Sequence, residues 1–231
     1  MNSLLRQLAD MLAPRACAAC GHRLADGEET LCTRCSIHLP RTGFAASPTD
    51  NEMARLFWAR LPIERAAALF YYHPHSPVAR MVYDLKYRGQ TDTGRQMGRM
   101  AAREMTADGF FEGIDLIVPL PLARRRERER GYNQSALIAR GVADITGLPV
   151  VCDIVRRVRD TVSQTTLDHA GRADNMESAF SLVKPEAVAG RNVLIIDDIV
   201  TTGATVTACG KAIAEAGNVR ISVLAMGYSK A

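Results

Sequence analysis

The order of apolar and polar positions along the chain predicts strands and helices that alternate. Continuous apolar runs, which are typical of strands buried on both faces, occupy residues 66–72, 115–121, 148–151, 193–196 and 221–226. Apolar residues at helical spacing occupy residues 76–88, 92–107, 133–146 and 203–216. Ser76-Pro77 favours the start of a helix, and Gly89 and Gly217 favour helix ends. This alternation predicts an α/β fold, in which a parallel sheet carries helices on both faces.

The N-terminal part of the chain has a different pattern. Residues 1–14 place leucines and methionines at helical spacing and predict a short amphipathic helix, which precedes a cysteine-rich segment. Proline, glycine and serine are frequent from residue 41 to residue 60, which predicts a linker. We therefore expect three parts: an N-terminal helix and metal-binding module over 1–40, a linker over 41–60, and the α/β domain over 61–231.

Four of the six cysteines form two CxxC pairs, namely Cys17, Cys20, Cys32 and Cys35. Two such pairs can direct four thiolates to one point, which predicts a structural zinc ion with no open coordination position. Two disulfides or a redox-active pair are the alternatives. His22 and His38 are expected to face solvent. Cys152 and Cys209 are expected to be core residues.

Composition and charge narrow the class of protein only slightly. The chain has 231 residues and a net charge of +4, which is compatible with phosphate or nucleic-acid ligands. No apolar run reaches the roughly 18 residues of a membrane helix, and no signal-peptide core is present. We expect a cytoplasmic protein without a membrane span.

The segment VLIIDDIVTTGAT (193–205) carries the most specific chemistry. A buried strand is followed by Asp197 and Asp198, then by a loop of threonines and glycine, then by a helix. The amino end of a helix attracts phosphate, and the two acids suit hydroxyl groups or a cation beside it. A ribose 5-phosphate satisfies both demands. The alternatives are an ATPase strand, which would need a GxxxxGK[ST] loop that the chain lacks, and an accidental acidic turn.

This segment resembles the phosphoribosyl-pyrophosphate (PRPP) motif of type I phosphoribosyltransferases. Further segments in the same order resemble the competence protein F (ComF) family: the four cysteines, DLKYRG (84–89), VPLPLARRRERERGYNQ (118–134), Gln164, the R-x-x-N of 172–175, and Phe180. The resemblance covers nearly the whole chain. It implies a type I phosphoribosyltransferase-like parallel sheet, preceded by a small zinc-ribbon-like module, in a protein of natural transformation and single-stranded DNA import.

The resemblance also implies roles for individual residues. Asp197 and Asp198 would be the catalytic pair that holds the ribose, and Mg²⁺ would accompany the PRPP. The 5-phosphate would be bound by Thr201, Thr202, Gly203, Ala204 and Thr205. The diphosphate would lie near Lys86, Leu120, Pro121 and Arg130.

Two further segments leave alternatives open. The arginine-rich run 123–134 is either a solvated loop or a basic rim, and such a rim would suit a diphosphate or a nucleic-acid backbone. The polar segment 157–177 contains Gln164, His169, Arg172 and Asn175 and predicts a long loop, of the kind that transferases use as a lid.

Three functions follow from these expectations. The first is a DNA-uptake protein that acts through single-stranded DNA or replication and recombination proteins. The second is an active phosphoribosyltransferase with an unidentified nitrogenous acceptor. The third is a PRPP sensor without turnover.

Overall fold

A computed structural model describes residues 15–158 and 179–230. The predicted N-terminal helix lies outside the described residues, as do Gln164, His169, Arg172 and Asn175. Within the described ranges, no helix is long and apolar enough to cross a membrane.

A parallel sheet forms the centre of the molecule and confirms the α/β prediction. Its four strands stand in the order β1-β6-β5-β2 and all run parallel. They are β1 (Ile63–Tyr71), β2 (Leu116–Pro119), β5 (Asn192–Val200) and β6 (Arg220–Tyr228), while β3 (Val155–Arg157) and β4 (Phe180–Leu182) form a separate antiparallel pair. The strand predicted over 148–151 is reduced to one parallel bridge, between Val150 and Ile117.

Seven α-helices are present in the described ranges, and four of them match the periodicity. They are α1 (Thr33–His38), α2 (Glu52–Arg55), α3 (Pro77–Tyr87), α4 (Thr91–Thr106), α5 (Arg124–Arg130), α6 (Gln134–Thr146) and α7 (Ala204–Ala214). The Ser76 hydroxyl accepts a hydrogen bond from the Ala79 N–H at 3.1 Å and so caps α3, as its sequence predicts. Helix α6 starts after Asn133, whose side chain accepts from the Ser135 N–H at 3.0 Å.

Helices α4 and α6 cross at two glycines that allow their backbones to touch. A Cβ atom at Gly141 would lie 2.0 Å from the Arg95 carbonyl oxygen, and one at Gly98 would lie 2.1 Å from that of Ile138. No larger residue fits at either position without separating the helices. Because α6 also packs on β2 and β5, this crossing fixes the layer beside the candidate site.

The segment 41–60 differs from the linker that was predicted. It contains a short 3₁₀ turn (Phe44–Ala46) and α2, and it buries Phe44, Met53 and Phe57 in the main core. The Asn51 amide donates to the Ala66 carbonyl at 2.8 Å and ties the segment to β1. The proline, glycine and serine residues do mark turns, but the apolar side chains between them pack against the sheet.

Three smaller expectations also differ. Strand β5 does not end at Ile196, because it stays paired with β6 as far as Val200. The arginine-rich run forms the helix α5 rather than a loop. Cys209 is buried as expected, but Cys152 is exposed.

Candidate functional site

Asp197 and Asp198 lie side by side near the carboxyl end of β5, and both are buried. The Asp197 carboxylate accepts hydrogen bonds from the Asp198 N–H at 2.8 Å and from the Ser135 hydroxyl at 3.4 Å. The Asp198 carboxylate accepts from the Ile199 N–H at 2.7 Å. Because successive side chains of a strand point to opposite faces, the two carboxylates lie on opposite faces of the sheet.

Within the part of the chain that the structure describes, one cation forms an ion pair with the acid pair. Lys86, at the end of α3, places its Nζ 2.8 Å from Oδ2 of Asp198. Burial, together with the charge of Asp198, raises the pKa of Asp197 to about 7. Two buried carboxylates that share one lysine favour a further positive charge or hydroxyl donors. Carboxylate oxygens are ligands that Mg²⁺ accepts, and so the pair suits Mg²⁺ on a sugar diol.

The loop 201–205 leads from β5 into α7 and forms the second half of the site. Gly203 has φ +71°, and a Cβ atom there would lie 2.8 Å from the Phe57 ring. The Thr202 hydroxyl accepts from the Ala204 N–H at 3.4 Å, and the first helical bond runs from the Thr207 N–H to the Gly203 carbonyl at 2.8 Å. The first turn of a helix leaves further N–H groups without an intrahelical acceptor. They lie at the end of the strand that carries the acid pair, next to the exposed hydroxyls of Thr201 and Thr202.

The residues predicted to hold a diphosphate fall into two groups. Lys86 and Arg130 line one cavity of about 410 Å³, in which the Arg130 guanidinium lies 5.6 Å from the centre of the Tyr87 ring. Leu120 is held beside β5, because its N–H donates to the Ile196 carbonyl at 2.9 Å. Pro121 borders a different, larger cavity. Lys86 thus forms an ion pair with Asp198 and lines the same cavity as Arg130.

Sequence reasoning missed several side chains around these residues. Ser135, for example, reaches Asp197. Tyr132 belongs to the run 123–134 that the sequence does single out, and its hydroxyl donates to the Leu85 carbonyl at 2.5 Å. Tyr83 and Tyr87 are exposed, with ring centres 4.8 Å apart. Tyr87 lies between Lys86 and Arg88, and Tyr132 lies between Gly131 and Asn133. Only the packing of α3 against α5 and α6 shows that the two tyrosines belong to one surface.

The four cysteines of the N-terminal module (residues 15–40) converge as predicted. Their sulfur atoms all lie within 4.8 Å of one another, and those of Cys20 and Cys32 are 3.8 Å apart. A tetrahedral zinc site with bonds of about 2.3 Å has sulfur–sulfur edges of about 3.8 Å. Burial alone would raise the pKa of Cys17, but hydrogen bonds led by the Cys32 N–H lower it to about 7. The cluster could hold zinc, and His22 and His38 are exposed and stand apart from it.

Arginines attach this cysteine module to the helices. Arg80 of α3 donates to the Cys20 carbonyl at 3.3 Å. Arg103 of α4 pairs with Glu29 at 3.0 Å. The module therefore packs on the helix that carries Lys86.

The chain matches one protein family and is similar to individual known proteins. Residues 133–230 match the family described as the phosphoribosyl transferase domain. The chain is 28% identical over 223 residues to "DNA utilization protein YhgH" of Escherichia coli (strain K12), covering 92% of this chain and 96% of that protein. It is 30% identical over 155 residues to "Competence protein F" of Haemophilus influenzae (strain Rd), covering 65% and 68% respectively.

Among solved structures, an adenine phosphoribosyltransferase is similar at 22% identity with a TM-score of 0.37, covering 63% of this chain and 75% of that one. The chain belongs to the competence protein F (ComF) family and contains a phosphoribosyltransferase domain.

Proposed function

We propose that this protein binds PRPP with Mg²⁺ at the acid pair and the 201–205 loop, and that it serves single-stranded DNA uptake and processing in the cytoplasm. One observation carries the first part of the proposal: a buried carboxylate pair and an open helix amino end follow each other on one strand, β5. This arrangement matches the two chemical ends of a ribose 5-phosphate.

Each residue group has a distinct task in this proposal. Asp197 and Asp198 hold the ribose hydroxyls and the Mg²⁺, which would neutralise charge on the departing diphosphate. Thr201, Thr202, Gly203, Ala204 and Thr205 surround the 5-phosphate with N–H and hydroxyl donors. Lys86 and Arg130, which line one cavity, would hold the diphosphate, and Leu120 and Pro121 would border it.

If the protein is an enzyme, it transfers ribose 5-phosphate to a nitrogenous acceptor. The buried carboxylates would then stabilise the positive charge that develops at C1 as diphosphate leaves. Without an acceptor, the same site would work as a PRPP sensor. Diphosphate release that depends on one nitrogenous compound would establish the enzyme, and tight binding without release would establish the sensor.

A separate observation favours contact with single-stranded DNA. Tyr83 and Tyr87 are exposed, and Tyr87 lies under Arg130 beside the arginines of α5. Exposed aromatic rings next to cationic side chains suit bases and phosphates of a single strand. The names of two similar proteins, "DNA utilization protein YhgH" and "Competence protein F", agree with such a role. Replication or recombination proteins are the partners that this role would involve, and free thiols suit the reducing cytoplasm.

Calorimetric titration of Mg²⁺ and PRPP tests the ligand. The wild type should bind one equivalent, while Asp197→Asn/Asp198→Asn should weaken binding by at least about a hundredfold, since two charged contacts are lost. Asp26→Asn/Asp108→Asn, at two exposed aspartates that line neither cavity, is the matched control and should bind like the wild type. Absence of binding by the wild type would refute the ligand assignment.

Titration of a fluorescent oligothymidine tests the DNA role independently of PRPP. Binding should weaken steeply with salt and should fall when Arg124, Arg125 and Arg126 are replaced by glutamine. Tyr83→Ala/Tyr87→Ala should lower affinity by about tenfold or more with little change in salt dependence. Salt-independent binding, or wild-type affinity in both variants, would remove the DNA assignment from this surface.

A further inference from the structure

A second cavity of about 680 Å³ lies between the α5–α6 segment and the small β3–β4 sheet. Helices α5 and α6 contribute one wall, and residues 152–157 and 183–184 contribute the other. A cavity of this size suits a ligand of a few tens of heavy atoms at most. We call it the arginine cavity.

The charged side chains of the arginine cavity are mostly basic. Its lining includes Arg124, Arg140, Arg156, Arg157 and Lys184, against two acids, Glu127 and Asp153. Asp153 already forms an ion pair with Lys184, so these two charges largely cancel. The remaining arginines outnumber Glu127, and their planar guanidinium groups suit the oxygen atoms of a phosphate.

Arg140 and Arg156 face the cavity from opposite walls, on α6 and β3 respectively. Within the described ranges, neither forms an ion pair shorter than 4 Å. Arg157, by contrast, lies over the Phe180 ring, with its guanidinium carbon 5.5 Å from the ring centre. The first two arginines are therefore available as anion ligands on opposite sides of the cavity.

Most of the remaining lining is apolar, apart from Asn133, and it includes one aromatic ring. Leu122, Leu137 and Val155 contribute aliphatic surface to the cavity. Tyr132 also lines it, and the hydrogen bond from its hydroxyl to the Leu85 carbonyl limits the rotation of the ring. A fixed ring beside aliphatic side chains suits a flat heterocycle, and the arginines suit a single phosphate.

The arginine cavity is distinct from the proposed PRPP site. Neither member of the acid pair lines it, and no residue of the 201–205 loop does so. Pro121 is the one residue of the PRPP prediction that borders it. Lys86 and Arg130 belong to the other cavity, which adjoins the arginine cavity at Tyr132.

We propose that the arginine cavity binds a nucleoside monophosphate, with its phosphate held by Arg140 and Arg156 and its base beside Tyr132. The ligand is a free nucleotide and not a stretch of a nucleic-acid strand, because the lining combines a base-sized apolar surface with cations for one phosphate. This site goes beyond the PRPP function proposed above, and its occupancy does not depend on that function.

Calorimetric titration of the full chain with AMP, dTMP, CMP and GMP tests the proposal. The wild type should bind at least one of these with 1:1 stoichiometry, and inorganic phosphate and the matching nucleoside should each bind at least about tenfold more weakly. Arg140→Gln/Arg156→Gln should weaken nucleotide binding by about thirtyfold or more, because two charge-assisted contacts are lost. The control Arg34→Gln/Arg128→Gln removes the same charge from exposed positions outside the cavity and should keep wild-type affinity.

The proposed PRPP site supplies the second control. Asp197→Asn/Asp198→Asn should bind the nucleotide normally, and Mg²⁺ with PRPP should not displace it. Loss of nucleotide binding in this variant but not in Arg140→Gln/Arg156→Gln would overturn the proposal, since the nucleotide would then occupy the PRPP site. Binding of oligothymidine without any mononucleotide would overturn it in favour of a strand-binding surface. Equal affinity for inorganic phosphate, or no binding at millimolar nucleotide, would also overturn it.

Discussion

The cysteine module and the acid pair are both candidate sites for cations, but they are held together in opposite ways. The four sulfur ligands come from nineteen residues of chain, and their spacing alone brings them together. Asp197 and Asp198 meet Lys86 and Ser135 only because α3 and α6 pack beside β5. The first site is local and could hold a metal, whereas the second depends on the folded core. Replacing one residue of each site should therefore have different consequences in the two regions.

Removal of one sulfur ligand should produce the largest effect. Cys20 is exposed, so Cys20→Ala should leave the main core intact and abolish stoichiometric zinc binding. Structural zinc contributes on the order of 10 kcal/mol to the folding of small sites. Hydrogen-exchange protection over 15–40 should then be lost, while that of the sheet stays.

Zinc content by elemental analysis checks this prediction, with Cys152→Ser as the control because Cys152 is exposed and lies outside the cluster. A full equivalent of zinc in Cys20→Ala would show that the four thiolates do not form the site. Simultaneous loss of protection in the sheet would show that the two regions are not independent.

Replacement of Asp197 should produce an intermediate effect that depends on pH. Its pKa is raised from 3.8 to about 7, so the folded chain holds a proton that the unfolded chain releases. The free energy of unfolding without ligand should therefore fall between about pH 4 and pH 7, by a few kcal/mol at most. Asp197→Asn should remove this fall and be the more stable protein at pH 8.

Urea unfolding at pH 5 and pH 8 measures the difference, and Asp108→Asn serves as the exposed control. If Asp197→Asn and the wild type lost the same stability between these pH values, Asp197 would not be the group that titrates.

The glycine of the 201–205 loop should produce the smallest effect. Gly203 and Gly190 share φ +71°, but a Cβ atom would contact the buried Phe57 ring only at Gly203. Gly190→Ala should cost about 1 kcal/mol through backbone strain alone. Gly203→Ala should cost about 1–2 kcal/mol more, because the Phe57 ring must move. Equal losses of stability in thermal unfolding would show that the contact with Phe57 is not what shapes the loop.

The sequence predicted most of the elements whose signals are local. The cap at Ser76 and the periodicity of α4, α6 and α7 depend on neighbouring residues, and the structure keeps them within two or three residues. The cysteine spacing is local in the same sense. Arginine and glutamate favour helices, and they form ion pairs at i, i+4, as Arg125 and Glu129 do. The helix α5 could therefore have been predicted from the sequence.

What the sequence could not predict depends on contacts between distant segments. Strand β5 passes through two aspartates because β6 continues to pair with it, as at Asp197 with Ala225. Segment 41–60 packs because β1 offers an apolar face to Phe44 and Met53. The ion pair of Lys86 with Asp198 joins residues far apart in the chain, so no spacing could have indicated it.

Hydrogen exchange with and without Mg²⁺ and PRPP tests the central claim most directly, because it reports on both regions at once. The account predicts slower exchange for the amides of residues 203–207, no change over 15–40, and no protection in Asp197→Asn/Asp198→Asn. Unchanged exchange over 203–207 at saturating PRPP, or protection confined to the cysteine module, would contradict it.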